Sequence, residues 1–82
     1  MQKILIIRLS SIGDVVLTSP VIRCLKLQMN SSIHYLVKDK YQMVIESNPY
    51  IDQIISIQSI SESIINKLKL ENYDLIIDLH NN

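Results

Sequence analysis

The stretch ILIIRLSSIGDVV, Ile4 to Val16, joins one apolar run to another through a short polar loop that holds the only glycine of the chain. The near-continuous apolar run KILIIRL (3–9) suits a strand buried on both faces of a parallel sheet, because neither face then meets water. The loop that follows reads Ser10-Ser11-Ile12-Gly13-Asp14. Ser11 and Asp14 fit the S-x-x-D pattern of a capped helix start, and the helix dipole favours an acidic group in the first turn. Gly13 suits a tight turn from strand to helix. A strand that passes straight into a helix opens a βαβ unit.

Three more strand-like segments follow: SIHYLV (32–37), DQIISI (52–57) and YDLIIDLH (73–80). Helical patterns fill the gaps. Across residues 14–29, Val21, Leu25 and Met29 recur at intervals of four with Ile22 alongside. Pro20 removes a backbone donor there and predicts a kink or a restart, with Ser19 as the cap. A short helix is predicted over 39–47, carrying Tyr41, Val44 and Ile45 and halted by Asn48-Pro49. The third, about 60–71, aligns Ile60, Ile64 and Leu68 with Ile65 beside them, and Ser59 with Glu62 reads as a capping box. Gln53 and Ser56 mark the third strand as a candidate edge.

The order β-α-β-α-β-α-β predicts an α/β fold: a Rossmann-like parallel sheet with right-handed crossovers and strand order 3-2-1-4. Ligands of such sheets bind beyond the carboxyl ends of the strands, at the switch point between strands 1 and 4. Here those ends are SSIGD (10–14) and DLHNN (78–82), so topology alone nominates them.

Composition narrows the function. Eight basic residues balance eight acidic ones, and four scattered Tyr are the only aromatics. Such a chain lacks the basic field and stacking platforms of a nucleic-acid binder. A single cysteine, Cys24, excludes an intrachain disulfide and fits a reducing compartment. Its place in a helical apolar pattern suggests a buried packing role. No apolar run approaches the ~20 residues that span a bilayer, and Arg8 interrupts the first run before a signal-peptide core forms. A cytoplasmic protein is expected. His34 and His80 are far apart, without Cys or Asp at ligand spacing, so no metal site is expected and no cofactor is implied.

The loop fails the common phosphate-binding patterns. A dinucleotide fingerprint needs G-x-G-x-x-G, and a P-loop needs G-x-x-x-x-G-K-[ST]. No acidic cluster follows the first strand, as a phospho-acceptor site would require. What remains is a set of backbone N–H groups, two hydroxyls and one carboxylate. Such a set can hold a polyhydroxylated ligand and take a proton from one of its hydroxyls.

These residues also carry a family resemblance. ILIIRLSSIGDVVLTSPVIRCLK (4–26) resembles the amino-terminal strand–loop–helix of the heptosyltransferases, glycosyltransferase family 9, which build the lipopolysaccharide inner core. IHYLVKDKYQMVIESNPYIDQII (33–55) is similar to their second βα unit with its N-P-x-I-D element. YDLIIDLHNN (73–82) resembles their fourth strand and the loop after it. SSIGD and DLHNN at their proper separation are more specific together than either alone. The resemblance implies part of the N-terminal domain of a GT-B glycosyltransferase, in which two Rossmann-like domains face each other across a cleft. On that expectation residues 1–82 are a partial, acceptor-side domain, the donor-binding domain lies outside the chain, and the fragment alone is inactive.

The implied reaction is an inverting, metal-independent transfer from a nucleotide-sugar donor, typically ADP-heptose, to a lipid-anchored saccharide at the inner face of the inner membrane. The family's proposed general base matches Asp14. Gly13 would keep the loop close to the sugar, and Ser10 and Ser11 would supply donors. Arg8 ends the first strand, where pairing with a phosphate or acidic sugar and a structural ion pair are equally open. Asp78 and His80 alternate to one side of the last strand, and His80 is a candidate substrate contact. His34, in mid-strand, is expected to be structural. Two other classes stand beside this one: a non-catalytic Rossmann-like module that binds a nucleotide or protein, and a nicotinamide-dependent enzyme, which the missing glycines disfavour.

Overall fold

A computed structural model describes residues 1–9 and 11–79. It contains one four-stranded parallel sheet, built from β1 (Gln2–Ile7), β2 (Ser31–Lys38), β3 (Gln53–Ile57) and β4 (Leu75–Asp78), in the order β3-β2-β1-β4. This is the expected 3-2-1-4 arrangement. Gln2–Ile7 pairs with Ser31–Leu36 on one side, while Ile4–Ile7 pairs with Leu75–Asp78 on the other. β1 and β2 are thus the two interior strands, and the unbroken apolar run lies on β1. Ile4, Leu5 and Ile6 are all fully buried.

Side-chain alternation assigns the two faces. Ile4, Ile6, Ile33, Tyr35 and Val37 point to a core closed by α1 (Ile12–Leu17), α2 (Ser19–Gln28) and α3 (Gln42–Ile45). Leu5, Leu36 and Ile57 point the other way, toward Ile64 and Leu68 of α4 (Glu62–Leu70). The first two crossovers thus lie on one face and the third on the opposite face, as a chain must do when it returns past its first strand. β3 is an edge, as Gln53 and Ser56 suggested. β4 is the other edge in the described residues, and Leu75 and Ile76 remain exposed.

The helices depart from their expected phases. Thr18, rather than Ser19, separates α1 from α2, and Pro20 sits in the first turn of α2. The restart re-phases the helix, so Ile22 is fully buried and Val21 is exposed. Leu25 and Met29 pack against the same core. Cys24 lies on the outer side of α2 and is exposed, which corrects the expected packing role. A 3-10 turn (Asp39–Tyr41) precedes α3, whose Ile45 is buried against Tyr41 and Val44. α4 is capped by Ser61, whose hydroxyl accepts from the Ile64 N–H, and not by Ser59. Ile60 precedes this helix, and both it and Ile65 are exposed, leaving Ile64 and Leu68 as a half-buried stripe.

Ion pairs pin the amino ends of the strands. The Asp52 carboxylate accepts from the Ile33 N–H (2.7 Å) and from Lys26 Nζ (2.6 Å), while the Asp52 N–H donates to the Ile33 carbonyl (2.8 Å). Lys26 also donates to the Ser31 carbonyl. One carboxylate therefore ties the end of α2 to the starts of β2 and β3. Asn48 prepares this register by accepting the Tyr50 N–H in an Asx turn. Asp74 closes a similar two-bond clasp on the backbone of Lys3, whose ammonium pairs with Glu71 at 2.7 Å. His34 is buried with its Nδ1 2.8 Å from the Tyr73 hydroxyl and its ring edge-on to the tyrosine. Its structural reading holds in the described contacts.

Among the described residues no helix is long and apolar enough to cross a membrane, and no three His, Cys, Asp or Glu side chains cluster to suit a metal ion.

Candidate functional site

The carboxyl end of β1 is held from both sides. The Arg8 N–H donates to the Leu36 carbonyl of β2 (3.3 Å), and the Leu79 N–H donates to the Ile7 carbonyl (2.9 Å). Because β2 and β4 flank β1, the loop after β1 and the segment after β4 emerge side by side at the switch point. For the described parts of SSIGD and DLHNN, residues 11–14 and 78–79, this is the juxtaposition that topology predicted.

From there α1 is oriented by buried anchors. Ser11 has extended backbone at the N-cap position, and its carbonyl accepts the Val15 N–H (2.9 Å). Val15 is fully buried and presses α1 onto the sheet. Thr18 ends the helix with its hydroxyl donating to the Val15 carbonyl (2.6 Å). With that proton committed, the Tyr35 hydroxyl 2.9 Å away is the donor to Thr18 Oγ1. Burial pushes the Tyr35 pKa up, which keeps it a donor. Thr18 and Tyr35 therefore link the helix break to the centre of β2. Sequence reading missed this pair, although a Thr just before Ser-Pro is a cap signal and Tyr35 lies inside an aliphatic strand.

With the inner side of α1 fixed, Asp14 falls on the outer side, with half of its side chain (49%) exposed. The capping pattern is realised in an unexpected way. The Ser11 side chain makes no bond to a helix N–H; its hydroxyl donates instead to Asp14 Oδ2 at 2.9 Å. Arg8 Nη2 reaches the same oxygen at 2.7 Å, and Nη1 donates to the Leu79 carbonyl. Both side-chain donors converge on Oδ2, and the Ser11 backbone N–H also bonds the carboxylate. The Ser11 hydroxyl, and then the Arg8 guanidinium, hold Asp14 below the usual carboxylate range, so it is ionised at neutral pH.

Gly13 has an ordinary helical placement without positive φ, and a Cβ added there would meet no atom within 4 Å. The strand-to-helix turn does not need a glycine, contrary to the conformational expectation. The open space above Gly13 adjoins Asp14 on the same exposed turn. The structure thus brings Arg8, Ser11, Gly13 and Asp14 together beside Leu79. Ser10 and His80 lie outside the described residues.

No family model matches the chain. Sequence comparison finds lipopolysaccharide heptosyltransferase 1 of Campylobacter coli, 30% identical over 85 residues, covering 95% of this chain and 25% of that protein. Among solved structures, the crystal structure of the glycosyl transferase family 9 from Veillonella parvula DSM 2008 superposes with a TM-score of 0.86 at 28% identity. That match covers 99% of this chain and 26% of the other. Sequence and fold together relate the chain to glycosyltransferase family 9. The match to that glycosyltransferase fold runs through the whole described sheet, with the strand order of the amino-terminal Rossmann-like domain of a GT-B enzyme. The chain spans about a quarter of the length of both relatives.

Proposed function

We propose that this chain forms part of the acceptor-side Rossmann-like domain of an inverting glycosyltransferase. On this reading it moves a heptose or related sugar from a nucleotide-sugar donor, ADP-heptose in the first instance, to a lipid-anchored core saccharide. The donor-binding domain belongs to the rest of such an enzyme, and the reaction takes place at the inner face of the inner membrane without a metal ion. The observation that supports this most is the half-exposed, ionised Asp14 carboxylate at the switch point, in a chain related to glycosyltransferase family 9.

The geometry suits one step. An acceptor hydroxyl donates to Asp14, and its oxygen attacks the anomeric carbon from the face opposite the nucleotide. The new carbon–oxygen bond forms as the bond to the diphosphate oxygen breaks, the proton passes to Asp14, and the nucleoside diphosphate leaves. Configuration at the anomeric carbon inverts. Ser11 holds the carboxylate during this step, and the missing side chain at Gly13 leaves room for the sugar.

The test compares the full-length enzyme with its Asp14→Asn variant for ADP release from ADP-heptose in the presence of a lipopolysaccharide-core acceptor. Loss of a general base lowers the rate by ~10²–10⁴, with a nearly unchanged thermal midpoint because the side chain is exposed. A variant that turns over at the wild-type rate returns Asp14 to a helix-start role. A wild type that turns over no nucleotide sugar leaves a non-catalytic binding module.

A further inference from the structure

The charge at the end of β1 faces inward. Arg8 is the less exposed partner of its ion pair, with 20% of its side chain accessible against 49% for Asp14. Its Nε is buried without a hydrogen-bond partner among the described residues. Its Nη1 is committed to the Leu79 carbonyl and its Nη2 to Asp14 Oδ2. The guanidinium therefore lies beneath the carboxylate. It spans the two segments that leave the sheet at the switch point, one after β1 and one after β4.

A substrate phosphate or acidic sugar arriving from solvent meets Asp14 before it meets Arg8. To bind Arg8 it would have to displace a carboxylate at 2.7 Å and a backbone carbonyl. We infer that Arg8 is a positioning residue rather than a substrate ligand: it clamps Asp14 Oδ2 against the end of β4 and so fixes how the carboxylate meets the acceptor hydroxyl. This rests on the proposed role of Asp14 as base and adds how that base is aimed. A planar guanidinium can hold two acceptors in a fixed relation, whereas an ammonium binds as a point charge. The clamp thus explains an arginine at this position. Arg8 is the charged group that faces Asp14 among the described residues, and Ser11 is its neutral companion. On the sheet side, Asp78 of β4 lies opposite Ile7, one residue before Arg8.

The experiment uses Arg8→Gln, Arg8→Lys and Asp14→Asn, singly, and the Arg8→Gln/Asp14→Asn pair, in the full-length enzyme. Transfer is followed against pH at varied donor and acceptor concentrations, and the Asp14 carboxyl is titrated by carbon NMR without substrates. Arg8→Gln is expected to lower kcat by about 10²-fold, the scale of a reacting group misplaced by about 1 Å. Donor and acceptor KM should stay near wild type, and the Asp14 titration should move up toward the ordinary aspartate value. Arg8→Lys should restore much of the titration but little of kcat, because one ammonium cannot reproduce the two-armed hold. The double variant should be no slower than Asp14→Asn alone, since Arg8 acts through Asp14.

A raised KM with an unmoved Asp14 titration would overturn the inference and make Arg8 a substrate ligand. If Arg8→Gln does not fold, full kcat in Arg8→Lys overturns it equally. An active Asp14→Asn enzyme defeats the general-base reading instead, while the titration still reports whether Arg8 holds the carboxylate.

Discussion

A carboxylate held below its usual pKa is a weak base toward a free alcohol, and Asp14 is held in that way by Ser11 and Arg8. The weakness matches the proposed step. The acceptor oxygen becomes acidic only as it bonds to the anomeric carbon, so the proton moves late, to a base that must be ionised and correctly placed beforehand. Gly13 tests the same geometry from the opposite direction. Its backbone is ordinary and nothing in the fold occupies the space beside it. Gly13→Ala is therefore expected to stabilise α1, by about 0.5 kcal/mol on helix propensity alone. If the sugar approaches this turn, the added methyl should also raise the acceptor KM. Thermal unfolding and acceptor saturation on the same samples check the pair of outcomes. A variant that gains stability with unaltered kinetics would show that no ligand comes close to Gly13.

At the scale of elements, the sheet was readable because its strands announce themselves by composition. Ile4–Ile7 is apolar throughout because both faces are covered, and the polar Gln53 and Ser56 fall on an edge strand. Helix phase was less readable. A restart at Thr18 shifts which residue faces the sheet, so the stripe runs through Ile22 and not Val21, and Cys24 is turned outward. Two serines two residues apart, Ser59 and Ser61, compete for one cap, and only the backbone decides between them. The N-P-x-I-D element was visible as a pattern, but its purpose was not. Asp52 works through the Ile33 N–H and Lys26, partners 19 and 26 residues away. Asp52→Ala should leave that N–H without its side-chain acceptor, costing about 1–3 kcal/mol. It should loosen the junction of α2, β2 and β3 while leaving the proposed chemistry at the far end of the sheet intact. Faster amide exchange at Ile33 with unchanged kcat is the expected result; an unchanged exchange rate would show that Lys26 and the backbone hold the junction without it.

For the whole molecule, the titrating groups combine into one pH profile. Asp52 is driven up by burial but held lower overall by Lys26 and the Ile33 N–H, and Glu71 is held down by Lys3. Each carboxylate therefore contributes stability that is present above its unfolded value, 3.8 or 4.5, and lost as the pH falls through its folded one. Burial also depresses His34 below its ordinary 6.5, so protonation in the unfolded chain begins to draw on the folded state at higher pH than the carboxylates do. At the alkaline end, burial pushes Tyr73 from 10.0 to about 12, and it raises Tyr35 as well. A phenol whose folded pKa is raised stabilises below its unfolded value and loses that contribution as the pH climbs past it. Stability is thus expected to be flat from about pH 7 to pH 9. It should decline gently below pH 6.5 through His34, then steeply below pH 4.5 through the carboxylates, and again above pH 10 through the tyrosines. Amide exchange at Leu5 and Leu36, which flank His34 in the sheet, reads this locally even within a longer protein. In His34→Gln the gentle phase should vanish while the other two remain. Its persistence would move that phase to a group other than His34 and overturn the idea that the part-buried His34–Tyr73 pair couples β2 to the segment before β4.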